Sequence, residues 1–294
     1  MFFYVFEGVQ KMKTKVMMML ALLGVIVALS GSLQAAVVIY EPFAGDPGDI
    51  NGQAAGAGLD GNWTRYEGAL EAVEGSLSYG SLATSGNHLS IAPSARRGAF
   101  ASTGSTLSDA GLLDDGGSLW FSFLVTSPTV PSTNDNLYLV LGTDTINAGG
   151  NKMNNSGNGI GVKFDRSIWV KACAFSGGVK SEENLQTVVI APDEDKLIVG
   201  EIIWGADGAS VDTLNIYLPG TDLALPGSVH STLTAVLDQS AFGKVIVAGK
   251  NQQPIIDEIR FGASYADVTP VPEPATMALL ALGGLGFIRR RRNS

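Results

Sequence analysis

The chain has 294 residues, of which 16% are charged and 37 are glycine. Between Val37 and Val271 there are 26 acidic and 12 basic residues, so this body carries 14 net negative charges. Nucleic acids and anionic lipids require clustered Lys and Arg, and an acidic body argues against both as partners. The large share of apolar residues also excludes a disordered chain.

The N-terminal segment has the three parts of an export signal. Three lysines within residues 11–15 precede an apolar run over residues 16–29, and small residues follow that run. This order predicts a helical secretory signal over residues 1–35, with cleavage between Ala35 and Ala36. The alternative is an uncleaved anchor, although the run is shorter than the ~20 residues that span a bilayer.

The C-terminal segment combines a Pro-rich motif, an apolar run over residues 275–288 and an arginine cluster. The apolar run predicts a short hydrophobic helix of ~21 Å, which is less than the ~30 Å core of a bilayer. Arginines at its end favour the cytoplasmic side. The motif and cluster residues are Pro272, Glu273, Pro274, Arg289, Arg290, Arg291 and Arg292.

This tripartite order over residues 271–294 resembles the PEP-CTERM sorting tail. The resemblance implies recognition by an exosortase-type membrane protease, removal of the helix with its arginines, and delivery of the body to the cell surface or the medium. Contact with the membrane would then be transient and would involve only the two termini. The alternative is a plain C-terminal anchor behind a Pro-rich neck.

The body, residues 36–270, contains short strand-like runs separated by turn residues, which predicts an all-β fold. We expect two antiparallel sheets in a jelly-roll sandwich, with no helix beyond a short helix or turn over residues 231–240. In the strongest run Phe121 and Phe123 share one face, while Trp120 shares the other. The predicted strands cover residues 37–40, 119–125, 137–141, 161–164, 168–170, 197–204, 213–218, 244–248 and 255–261.

Several runs of the body also resemble laminin-G-like, concanavalin-type jelly rolls. The entry pattern lies at residues 40–43 and 58–63, the central strand at residues 120–124, and the closing strand at residues 257–262. The resemblance implies the fold and leaves the activity open, because one fold hosts many functions.

No catalytic constellation is expected. A glycosidase needs two facing carboxylates, whereas Asp257 and Glu258 are adjacent, so we expect their side chains on opposite faces of a strand, with Glu258 paired to Arg260. Cys173 is the single cysteine and is expected to be a buried apolar filler.

Oxygen-rich residues beside the strand at 137–141 suit calcium, namely Asn134, Asp135 and Asp144. Hydrogen-bonded turn residues are the alternative for this group. No other cofactor is expected.

The candidates for glycan contact are Trp63, Trp120 and Trp169, with core packing as the alternative for each. Together these features predict an exported, non-enzymatic surface protein. It would bind extracellular polysaccharide or be structural in an exopolysaccharide matrix. The alternative is a divergent jelly-roll glycan hydrolase or lyase.

Overall fold

The computed structural model describes residues 37–91, 96–127, 136–147, 152–165, 169–183, 190–191, 193–250 and 255–271. The predicted signal helix and the predicted C-terminal helix both lie outside these residues. Within the described ranges, no helix combines the length and apolar character that a membrane span requires.

The described residues form short strands with two single-turn α-helices, α1 (Thr106–Asp109) and α2 (Tyr265–Val268). The expectation of no helix in the body outside residues 231–240 is therefore wrong, because single turns this short leave no apolar period of 3.6 in the sequence. The strands in chain order are β1 (Ile39–Glu41), β2 (Gly48–Asp49), β3 (Asp60–Arg65), β4 (Glu71–Glu74), β5 (Asn87–Ser90), β6 (Arg96–Ser102), β7 (Ser118–Thr126), β8 (Asn136–Gly142), β9 (Gly159–Asp165), β10 (Trp169–Ser176), β11 (Val179–Glu182), β12 (Asp195–Ile203), β13 (Val211–Tyr217), β14 (Ser231–Val236), β15 (Lys244–Lys250) and β16 (Ile255–Gly262).

These strands form two antiparallel sheets, as predicted. In the described part of the chain, one sheet has nine strands in the order β14-β13-β12-β7-β16-β5-β4-β2, and β1 also pairs with β16. The other sheet has seven strands in the order β11-β10-β9-β8-β15-β6-β3. We call them the nine-stranded and the seven-stranded sheet. Strands distant in the chain become neighbours, since β15 lies between β8 and β6.

The main hydrophobic core of the described residues joins side chains from both sheets. Phe121 and Phe123 of β7 lie in this core with Leu139 and Phe164 from β8 and β9, and the rings of Phe123 and Phe164 meet edge-on at 5.7 Å. Trp120 points to the opposite side of β7, as the predicted alternation requires. Burial of each large apolar side chain stabilises the fold by roughly 1.5–3 kcal/mol.

The prediction of a short helix or turn over residues 231–240 is wrong for its first half. Strand β14 occupies that half and pairs with β13, and a 3-10 turn follows at Gln239–Ala241. Leu233 packs against the main core and alternates with threonines, which gives a period of two rather than 3.6. The strand also ties the sheets together, because the Ala172 amide of β10 donates to Ser231 Oγ at 3.0 Å.

Candidate functional site

A row of polar side chains crosses the outer face of the seven-stranded sheet. Alternation along β8, β9 and β10 sends Leu139, Val162 and Val170 into the core and leaves the intervening residues on the outer face. In the strand register, Tyr138 lies opposite Lys163, and Lys163 lies opposite Lys171. We call this surface the lysine face. Its members are Tyr138, Lys163, Asp165, Trp169, Lys171, Lys180, Glu182 and Lys244.

Ion pairs connect the lysines at the centre of the lysine face. Asp165 Oδ2 lies 2.7 Å from Lys171 Nζ and 3.3 Å from Lys163 Nζ. Glu182 Oε2 lies 3.1 Å from Lys163 Nζ and 2.8 Å from Lys180 Nζ. Each carboxylate therefore contacts two ammonium groups, and Lys163 bridges the two carboxylates.

The lysines keep both carboxylates ionised. Burial alone would raise the pKa of Asp165, but the hydrogen bond from Lys171 and the charge of Lys163 lower it overall. Burial likewise opposes ionisation of Glu182, and Lys180 with Lys163 reverses that effect and lowers its pKa. Neither carboxyl group is therefore suited to donate a proton near neutral pH.

Aromatic rings lie beneath the ammonium groups of the lysine face. Lys171 Nζ lies 5.3 Å from the centre of the Trp169 ring, and Lys180 Nζ lies 5.9 Å from the centre of the Tyr138 ring. Lys244 Nζ lies 4.9 Å from the ring of Phe100 on β6. Such cation–π contacts stabilise a lysine at a defined position above a ring.

Glycines on this face let other side chains pack closely over it. A Cβ atom on Gly98 would lie 2.4 Å from Tyr66 Cζ, so the Tyr66 ring lies directly over β6. A Cβ atom on Gly159 would lie 2.5 Å from Met153 Cε, which places Met153 over β9. Tyr66 and Met153 thus cover parts of the outer face, and they belong to one apolar cluster with Tyr138 and Val140 beneath them.

The three tryptophans predicted to contact glycan lie in separate places. Trp63 is only 2% exposed, because it packs on Phe43 in the core and its indole N–H donates to Glu41 Oε2 at 2.8 Å. Its structural position therefore matches the core alternative. Trp120 stacks on Tyr217 at 5.8 Å on the outer face of the nine-stranded sheet. Trp169 belongs to the lysine face.

The residues predicted for calcium are only partly described. Asn134 and Asp135 lie outside the described residues. Asp144 accepts hydrogen bonds from the Thr145 amide at 2.7 Å and from Asn155, and its carboxylate lies 3.4 Å from Lys244 Nζ. No cluster of three His, Cys, Asp or Glu suited to a metal ion occurs among the residues that the structure describes. Calcium stays a prediction.

The expectation that Asp257 and Glu258 point to opposite faces is wrong. A β-bulge interrupts the pairing of β16 with β7 between Asp257 and Arg260, and Glu258 has a φ of 57°. Both carboxylates therefore reach the same hydroxyl, with Ser76 Oγ 2.6 Å from Asp257 Oδ2 and 3.2 Å from Glu258 Oε1. The predicted pair of Glu258 with Arg260 is confirmed.

This carboxylate pair is fully buried and lies beneath the segment that contains Ser76 and Leu77. Burial raises the pKa of Asp257 to about 7, although hydrogen bonds from Ser76 and from the Leu77 amide oppose that shift. The cluster thus joins this segment to β16.

Cys173 is buried and free, as predicted, and burial raises the pKa of its thiol to about 12.

Residues 270–292 match the PEP-CTERM protein-sorting motif. This match covers the predicted sorting residues, which lie beyond the part of the chain that the structure describes. No curated protein sequence matches the chain significantly.

Solved structures resemble the chain at low sequence identity. An endo-β-1,4-glucuronan lyase from the fungus Trichoderma reesei is 14% identical with a TM-score of 0.42, and the match covers 80% of this chain and 99% of that chain. An alginate lyase is 8% identical with a TM-score of 0.43, covering 78% and 98%. The globular domain of T. cruzi calreticulin is 12% identical with a TM-score of 0.43, covering 78% and 88%. At these values the similarity carries no argument about activity.

The sorting motif determines the destination of the chain. It marks the protein for export across the inner membrane and for recognition by an exosortase, the membrane protease that sorts such substrates. The chain carries a PEP-CTERM sorting motif and is directed to the cell surface.

Proposed function

We propose that this surface protein binds an extracellular glycan, without chemical conversion, on the lysine face of a laminin-G-like jelly roll. The observation that supports the proposal is the set of partly exposed groups on this face, where Lys180 and Lys244 lie over aromatic rings and the Trp169 ring lies beside Lys171. Tyr138, Lys163 and Lys171 are buried beneath them and hold them in place. Rings with adjacent hydrogen-bonding groups suit sugars, which present both apolar C–H faces and hydroxyl groups. Placement on strands keeps these groups in fixed positions.

The same face supports a second candidate, a glycan lyase. Tyr138 lies opposite Lys163, and a phenol with a neighbouring ammonium group could exchange a proton while the charge of a substrate carboxylate is neutralised. Two features oppose this function. Tyr138 is only 1% exposed, and burial raises the pKa of its phenol, which disfavours the phenolate that a base would need. The lowered pKa values of Asp165 and Glu182 argue against a hydrolase, because a hydrolase needs one protonated carboxyl group as its general acid.

The test measures retention and cleavage together. The full-length chain, purified in mild detergent, is applied to an array of neutral, uronate-containing and sulfated polysaccharides. The proposal predicts retention on at least one class, with no shortening of the bound chains and no unsaturated product by ultraviolet absorbance. Retention on none of the classes would refute glycan binding, and shortened chains would establish the enzyme instead.

A further inference from the structure

We infer that the ligand of the lysine face is a polyanionic polysaccharide, one that carries carboxylates or sulfates along its length. This inference rests on the proposed function and assigns the ligand's chemical class. Charge divides unevenly between the two sheets, and the net charge of the chain conceals this division.

The two sheets carry opposite charge. Among the described strands, those of the seven-stranded sheet contain eight Lys or Arg and three Asp or Glu, a formal charge of +5. Strands of the nine-stranded sheet contain two Lys or Arg and nine Asp or Glu, a formal charge of −7. The basic residues of the seven-stranded sheet are Arg65, Arg96, Arg97, Lys163, Lys171, Lys180, Lys244 and Lys250.

This division matters because the body as a whole is strongly acidic. A random distribution would leave every surface negative, and such surfaces repel an anionic polymer. Arg65 and Arg97 alternate toward the inner side of the seven-stranded sheet, and Arg65 pairs with Asp49 of the other sheet. On its outer side the six remaining cations still outnumber Asp60, Asp165 and Glu182, so this side is positive within an acidic molecule. Its field attracts a polyanion to that side and directs it away from the other side.

Like charges lie directly opposite each other at the centre of the lysine face. Lys163 and Lys171 are cross-strand neighbours, an arrangement that destabilises a sheet. Their side chains are only 7% and 5% exposed, so solvent screens the repulsion weakly. Asp165 offsets part of it by contacting both ammonium groups. Asp165 and Glu182 supply two negative charges against the three positive charges of Lys163, Lys171 and Lys180, so one positive charge is left for an anionic ligand to balance.

The basic row extends beyond the central pair. In the strand register, Arg96 lies opposite Lys250, and Lys250 lies opposite Asn136. Asn136 in turn lies opposite Asp165, so the same outer row crosses β6, β15, β8 and β9. This row adds two cations, Arg96 and Lys250, to the lysines of the lysine face. Several separate cations on one side of a sheet match a linear polymer with repeated negative groups better than a single small anion.

The more exposed lysines are the first that a ligand would meet. The side chain of Lys180 is 15% exposed and that of Lys244 is 29% exposed. Lys196 on the nine-stranded sheet is 22% exposed, so it is the control for the loss of one lysine charge at similar exposure.

The experiment measures the mobility of the full-length chain, in mild detergent, through gels that contain a polyuronate, sulfated dextran or neutral dextran. Comparing the retardation by the polyuronate with the retardation by sulfated dextran distinguishes recognition of carboxylates from recognition of sulfates. We expect retardation by at least one polyanion, about tenfold or more above neutral dextran, that weakens as salt rises from ~50 to ~500 mM. The double variant Lys180→Gln/Lys244→Gln should weaken it about fivefold or more, while Lys196→Gln should have no effect.

Other outcomes separate this inference from the proposed function. Equal retardation by neutral dextran, unaffected by salt or by the double variant, would overturn the polyanion and leave glycan binding in place. Absence of retardation by every polymer would count against both. Equal effects of the double variant and Lys196→Gln would overturn the assignment to the lysine face. Competition by duplex DNA as strong as that by the polyanion would overturn its assignment to polysaccharide.

Discussion

Lys163 and Lys171 lie directly opposite each other on β9 and β10, and both ammonium groups contact the same carboxylate, Asp165. Asp165 is therefore the residue that makes this like-charged pair compatible with the sheet. Asp165→Asn should lower the free energy of unfolding by roughly 2–3 kcal/mol, because both lysines lose their common counterion. Denaturant unfolding of the variant and the wild type measures the difference.

Lys163→Met is the matched comparison for that variant. In this variant Asp165 still forms its ion pair with Lys171, and Glu182 still forms its ion pair with Lys180. The repulsion between Lys163 and Lys171 is removed. Because an apolar side chain can fill this buried position and each carboxylate keeps one lysine, the loss of stability should stay below about 1 kcal/mol. If Lys163→Met proves as destabilising as Asp165→Asn, the ion network is a stability element, and the cost assigned to the lysine pair is wrong.

Stability should be sensitive to the side chain of Glu41 at the end of β1. It is buried, and its oxygens accept from the Phe43 amide at 2.7 Å, the Gly56 amide at 2.7 Å and the Trp63 indole at 2.8 Å. Glu41→Gln replaces one acceptor oxygen with a donor group, so at least one buried N–H loses its partner. We expect a loss of about 2–3 kcal/mol in the free energy of unfolding.

The control for this substitution is Glu71→Gln, the same chemical change at an exposed position of β4. It should alter stability by no more than about 0.5 kcal/mol. Equal losses for the two variants would show that the hydrogen bonds to Glu41 do not anchor the segment around Trp63.

Asp257 should make stability fall as the pH rises towards neutrality. Burial raises its pKa to about 7 in the folded state, against about 4 in an unfolded chain. Between these two pH values the folded protein therefore binds more protons than the unfolded chain. The stabilisation that protonated Asp257 gives is complete below about pH 4 and is lost as the pH rises through about 7.

Denaturant unfolding of the wild type and Asp257→Asn across this pH range tests that dependence. The asparagine variant carries a constant offset, since it loses an acceptor for the Leu77 or Glu258 amide. The wild type loses stability as the pH rises, whereas the variant does not, because asparagine does not ionise. The free energy of unfolding of the variant, relative to that of the wild type, should therefore increase with pH. Parallel curves would mean that Asp257 ionises normally beneath its covering segment.

Sorting depends on the motif at residues 270–292. A chain with Pro272, Glu273 and Pro274 replaced by alanine should keep its C-terminal arginines and stay in the membrane fraction. Wild-type protein recovered from the cell surface or medium should lack them by mass spectrometry. Pro226→Ala, a proline substitution outside the motif, should be processed normally. Wild-type protein that keeps the arginines and stays in the membrane would indicate a plain anchor.

Strands with strong apolar signals could be predicted from the sequence, and weaker ones could not. β7 and β12 consist largely of aromatic and branched residues, so their inner faces are visible in the pattern. β6 reads Arg-Arg-Gly-Ala-Phe-Ala-Ser and β14 reads Ser-Thr-Leu-Thr-Ala-Val. Small and polar residues hide the alternation in both, and pairing with a neighbouring strand determines their structure.

The lysine face could not be predicted, because its members are scattered along the chain from Tyr138 to Lys244. They meet only through the order of the strands, in which β15 lies next to β8. The net negative charge of the body also pointed away from a cationic surface. The bulge at Glu258 could not be predicted either. Regular alternation would place Asp257 and Glu258 on opposite faces of the strand, whereas the positive φ of Glu258 brings the two side chains together.

Lysine acetylation, followed by mass spectrometry, tests the location of the binding surface most directly. The full-length chain is labelled with and without the polyanion that retards it most strongly. We expect Lys180 and Lys244 to be protected in the complex and Lys196 to be labelled equally in both states. Protection of Lys196, or unchanged labelling of Lys180 and Lys244 in a chain that is demonstrably bound, would contradict the lysine face as the site of recognition.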